Sequence, residues 1–90
     1  GVYATRVTFE NGESRPAVTN IGVRPTIDDG DRVTVEGFIL DFQGDLYGQT
    51  VRMEFYKRLR GERKFPSLEA LKDEVMRNAE QTRAYFSTQP

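Results

Sequence analysis

Residues 2–22 read VYATRVTFENGESRPAVTNIG, and this stretch decides the fold. From Val2 to Glu10 polar and apolar residues alternate, with Tyr3, Val7 and Phe9 on one side and Thr5 as the single polar interruption there. A period of two is the signature of a half-buried strand. Asn11-Gly12, flanked by Glu10 and Glu13, then predicts a type I′ hairpin turn, because both central positions of that turn need positive φ. Arg15–Gly22 is therefore expected to run back antiparallel to the first strand.

Working outward, Val23–Asp31 holds Arg24-Pro25 and Asp28-Asp29-Gly30-Asp31, too many breakers for a regular element, and reads as a polar loop. Val33–Phe42 is apolar on both faces, as in a strand covered on both sides. Gln43-Gly44-Asp45 predicts a turn, and Gln49–Arg60 a fourth strand with Val51, Met53, Phe55 and Leu59 facing in, so the last two strands are expected to form a long antiparallel hairpin. Pro66-Ser67 opens a helix, with Ser67 as N-cap, Glu69 in the first turn, and Leu68, Leu71, Val75, Ala79, Thr82 and Phe86 at helical spacing. The fold class is mainly β: a small antiparallel barrel or strongly curled sheet closed on one side by one C-terminal amphipathic helix. Tyr3, Val7, Phe9, Ile21, Val35, Phe55, Leu71 and Val75 are the expected core.

Ninety residues make one domain with one modest core. Thirteen Lys and Arg against 14 Asp and Glu give a net charge of −1, so no whole-molecule field draws nucleic acid or anionic membrane. Without cysteine or histidine, disulfides, thiol nucleophiles, histidine bases and Cys/His zinc sites are excluded. No apolar run reaches a membrane span and no signal peptide is evident, which reads as cytoplasmic. The chain starts at Gly1 on a strand pattern, as expected of a piece of something longer.

Glu36 shares an alternating face with Phe38, Leu40 and Phe42, where desolvation would raise its pKa toward that of a general base; the plainer reading pairs it with Arg52 or Arg58 across the hairpin. Residues 56–65, YKRLRGERKF, crowd Lys57, Arg58, Arg60, Arg63 and Lys64 between aromatics and are a candidate anion site, or else a solvated charged end. Asp28, Asp29 and Asp31 lack the spacing of a calcium loop. No phosphate-cradling or dinucleotide glycine motif is present.

Gly1-Val2-Tyr3-Ala4, the segment Asn20–Thr26 (NIGVRPT), Val35-Glu36, Leu40-Asp41-Phe42, Asp45-Leu46-Tyr47-Gly48 and the run Leu59–Phe65 together resemble, over all 90 residues in order, the riboflavin kinase module of bacterial bifunctional riboflavin kinase/FAD synthetases. The resemblance implies a Greek-key β-barrel with a C-terminal helix that phosphorylates riboflavin to FMN at the ribityl 5′-hydroxyl, with ATP as co-substrate and Mg2+ as cofactor. It implies Glu36 as the base on that hydroxyl, Tyr47 in a flap near the nucleotide, Arg60 in a loop at the flavin, and Ser67 and Glu69 at a helix amino end that meets the flavin. Pro66 and Ile27 stand where the family often has Asp and Phe. The family's Gly-rich ATP loop and Pro-Thr-Ala-Asn segment, expected before Gly1, are not in this sequence, so residues 1–90 are expected to form an incomplete kinase domain, nearly inert alone. The adenylyltransferase module would lie elsewhere in the parent chain, and an open strand edge would favour a homodimer. The alternative is a small barrel binding RNA or another anionic partner through residues 57–64.

Overall fold

The computed structural model describes residues 1–26 and 30–88. Four strands, β1 (Val2–Thr8), β2 (Ser14–Thr26), β3 (Gly30–Ile39) and β4 (Arg52–Arg60), precede one helix, α1 (Leu68–Ser87). They form a single antiparallel sheet in the order β3-β2-β1-β4. Three hairpin-connected strands, with a fourth that returns beside the first, make a Greek key. The mainly β architecture with one C-terminal helix is thus as expected. Among the described residues β3 and β4 are the two edges, and no ladder joins them into a closed wall.

That order corrects the expected hairpin of the last two strands. After Leu40 the chain crosses to the opposite edge, and β4 pairs with β1 rather than with β3. Two other local readings change. Gly12 N–H donates to the Phe9 carbonyl at 3.0 Å, and Gly12 (φ 90°) has positive φ while Asn11 does not. The turn is therefore a type I turn closed by a left-handed glycine, with the Asn11 side chain accepting from Glu13 N–H at 2.9 Å, and not type I′. The expected loop at 23–31 is strand on both sides: β2 continues to Thr26, and β3 begins at Gly30. Ile27, Asp28 and Asp29 lie outside the described residues.

Each face of the sheet carries its own cluster. On the helix side Val2, Val18 and Leu40 pack with Ala79 of α1, joined by Leu59. On the other side Val7, Phe9 and Ala17 pack with Ile39, Phe42, Leu46 and Met53, and the hydroxyls of Thr5 and Thr19 bond each other at 2.7 Å. Asp41 (φ 53°) explains why Phe42 does not share the Glu36 face: the left-handed residue turns the chain, and Phe42 packs against Phe9 with ring centres 5.0 Å apart. Of the expected core, Val7 and Phe9 are buried and Tyr3, Ile21 and Val75 half-buried. Val35, Phe55 and Leu71 are exposed, the first two because they stand on edge strands and the third because it lies at the rim of a cleft.

The β1–β4 ladder has two register shifts, between Val2 and Tyr3 and between Ala4 and Thr5, which leave Leu59 and Tyr56 as extra residues on β4. Both extra residues serve the helix side: Leu59 joins the Ala79 cluster, and Tyr56 meets Phe86 edge-on at 5.1 Å. No helix among the described residues is long and apolar enough to cross a membrane.

Candidate functional site

A cleft of about 360 Å3 opens on the helix side of the sheet. Register puts two of its polar residues together: Asn20 of β2 stands directly across from Glu36 of β3, with Val18 across from Phe38 two pairs further on, the next on the same face. Arg60, at the end of β4 opposite Val2, closes the far side. Phe65, Leu71 and Val75 supply apolar wall. The cleft therefore offers apolar wall with two carboxylates (Glu36, Glu62), two carboxamides (Asn20, Asn78) and two guanidiniums (Arg60, Arg63) around it.

The strongest electrostatic feature beside it was not legible as such in the sequence. Glu74 is 6% exposed and gathers three guanidiniums: Arg77 at 2.9 Å, Arg60 at 3.3 Å and Arg63 at 3.5 Å. Asn78, one turn on, donates to Glu74 Oε2 at 3.1 Å and accepts from Arg60 Nε at 3.1 Å. Burial alone would raise the Glu74 pKa, but hydrogen bonds from Arg77 and Asn78 and the charges of Arg77 and Arg63 outweigh it and hold the carboxyl below its ordinary value. Arg60 and Arg63 also lie over the Phe65 ring, 5.4 and 4.7 Å from its centre. One more polar atom waits at the cleft: Asn20 Oδ1 is buried without a hydrogen-bond partner among the described residues.

The sequence-derived candidates divide accordingly. Glu36 and Arg60 line the same cleft. Glu36 is exposed, however, so the desolvation expected at it is absent, and its cross-strand neighbour is Asn20, since Arg52 and Arg58 stand on the opposite edge strand. Tyr47 is 94% exposed on the β3–β4 connection, its N–H held by Asp45 Oδ1 at 2.8 Å, and does not line the cleft. Ser67 is the N-cap of α1, accepting from Ala70 N–H at 3.1 Å, and Glu69 follows in the exposed first turn; neither lines the cleft. Much of the basic 57–64 segment is occupied by the helix: Arg60 and Arg63 face Glu74, and the Lys57 ammonium lies 5.8 Å from the Tyr85 ring centre. Among the described residues no three His, Cys, Asp or Glu converge to hold a metal ion.

Residues 1–86 match the family model described as flavokinase, riboflavin kinase. The chain belongs to the riboflavin kinase family. It is 40% identical over 88 residues to a bifunctional riboflavin kinase/FMN adenylyltransferase of Haemophilus influenzae, covering 98% of this chain and 28% of that protein. A relative of the same description from Pseudomonas fluorescens is 43% identical, covering 93% and 27%, and one from Bacillus subtilis is 35% identical, covering 97% and 28%. The chain thus spans between a quarter and a third of the length of the curated relatives it matches. A solved structure described as a macrolide-efflux protein from Streptococcus pneumoniae superposes with a TM-score of 0.85 at 34% identity, over 92% of this chain and 27% of that one.

Proposed function

We propose that the cleft holds riboflavin and that Glu36 serves transfer of the ATP γ-phosphoryl group to the ribityl 5′-hydroxyl, giving FMN and ADP. The observation that carries this reading is the meeting of Glu36 with Asn20, Phe38 and Arg60 around one slot of apolar wall, in a chain of the riboflavin kinase family. Phe38, Phe65 and Leu71 suit the flat ring system, and Asn20 Oδ1 suits a ligand O–H or N–H. In the reaction Glu36 accepts the hydroxyl proton as the new O–P bond forms and the bond to the ADP oxygen breaks. Phosphoryl transfer rests on positioning and charge neutralisation, the task of Arg60 and its neighbours. In this reading Tyr47 belongs to the nucleotide side, and Ser67 and Glu69 belong to the flavin side. The Mg2+ of the family finds no carboxylate cluster among the described residues, so no step is assigned to it. An adenylyltransferase module accompanies the kinase in the intact gene product, as the names of the relatives imply.

The test is FMN formation by the intact gene product together with riboflavin affinity from flavin fluorescence. Glu36→Gln keeps shape and reach but removes the proton acceptor, so turnover is expected to fall about 10²–10⁴-fold with riboflavin affinity little changed. An unchanged rate with a lowered melting point rules out Glu36 as the base, and a wild-type protein that neither binds riboflavin nor forms FMN overturns the reading itself.

A further inference from the structure

We propose that Glu74 is a positioning residue that, from inside the helix–sheet interface, fixes the guanidiniums of Arg60 and Arg63 at the cleft rim as a receptor for a phosphate group. One buried carboxylate faces three guanidiniums, two of which line the cleft. A single carboxylate would suffice to neutralise Arg60 alone. Arg63 is brought to the same carboxylate from the following loop, with its side chain 57% exposed. Phe65, in the same loop, has its ring centre 5.4 and 4.7 Å from the two guanidinium carbons and gives each a second contact. The 61–65 segment, which has no regular structure of its own, is thus tied to α1 through Arg63 and Glu74, while Asn78 holds Arg60 at the end of β4 just before it. Glu36 and Glu62 line the same cleft, so the rim is mixed in charge; what Glu74 supplies is a fixed pair of guanidinium donors, suited to the oxygens of a phosphate.

This inference rests on the proposed reaction, in which riboflavin is neutral while FMN and ATP carry phosphates. It therefore separates ligands by charge: Glu74 should matter for phosphate-bearing ligands and little for riboflavin. In the intact gene product Glu74→Gln is expected to weaken FMN binding about tenfold, as for loss of an organised charge-assisted contact, with riboflavin affinity changed less than about threefold. Binding of ATP measured alongside tells whether the receptor serves the nucleotide phosphate or the product phosphate. The double substitution Glu74→Gln with Asn78→Asp returns a carboxylate to the atom that already accepts from Arg60 Nε at 3.1 Å, and is expected to restore FMN affinity. Should Glu74→Gln not fold, Arg63→Gln, at an exposed side chain, is expected to give the same phosphate-selective loss.

Unchanged FMN and ATP affinity in either folded variant, or an equal loss for riboflavin and FMN, overturns the proposal. A second readout needs no flavin. Tryptic cleavage after Arg60, Arg63 and Lys64 is expected to accelerate about tenfold in Glu74→Gln, as the segment opens more often. If the wild type binds no flavin the reaction is wrong, and unaltered cleavage then also removes the positioning role.

Discussion

The two halves of α1 meet the sheet by different means. In the amino half Leu68 is 84% and Leu71 41% exposed, while Glu74, with Asn78 just past the midpoint, is buried and bonded to Arg60. In the carboxy half Ala79 and Thr82 are buried, and Phe86 is enclosed by Tyr56 at 5.1 Å and by the Arg6 guanidinium at 5.5 Å. The difference tracks the cleft. Apolar side chains that filled the amino half as closely would fill the ligand space too; directional bonds between charged groups hold the helix at a distance and leave the slot open.

The largest expected effect breaks the carboxy half. Phe86→Ala removes two aromatic edges and a cation–π contact, and is expected to cost about 2–3 kcal/mol in urea unfolding while leaving riboflavin affinity of the folded protein unchanged. Breaking the amino half by Glu74→Gln is expected to cost less, about 1–2 kcal/mol near neutral pH, because its partners Arg63 and Arg77 reach solvent. Its sign with pH is fixed. The Glu74 pKa is lowered in the folded protein, so its stabilisation is present above the ordinary 4.5 and is lost as pH falls through the lowered value. The gap in melting temperature between wild type and Glu74→Gln should therefore close in acid; a gap that widens there refutes the ion-pair account. The smallest effects sharpen the comparison at the first turn: Ser67→Ala should cost about 1 kcal/mol through the lost cap, and Leu68→Ser no more than about 0.5 kcal/mol.

Much of this was legible from local pattern. The alternation of Val2–Glu10, the return strand at Arg15–Gly22 and the Ser67 cap all depend on neighbours in sequence, and all three stand. The partner of β4 depends on where a twelve-residue connection lands, from Leu40 to Val51, which no local signal specifies. The burial of Glu74 was hidden for a related reason. It lies three residues from Leu71 and four from Asn78, on the inward stripe, but a charged residue there reads as solvent-facing until Arg60 and Arg63 are known to arrive from another element. Glu36 was found by its face, although the burial invoked for it is absent.

The two extra residues of β4 also set which changes in chain length the site can survive. Five steps along β4, from Phe55 to Arg60, run beside only three along β1, from Thr5 to Val2. Removing both Tyr56 and Leu59 would leave an even ladder in which Arg60 still stands opposite Val2, at the loss of two contacts to the helix. Removing either alone eliminates one irregularity and keeps the other, so the phase of the strand at Arg60 is again preserved. The irregularities thus form a reserve of length: the strand can shorten at these two places and still deliver its arginine to the cleft, whereas deletion of Arg58 would set Leu59 opposite Tyr3 and turn it away from the helix.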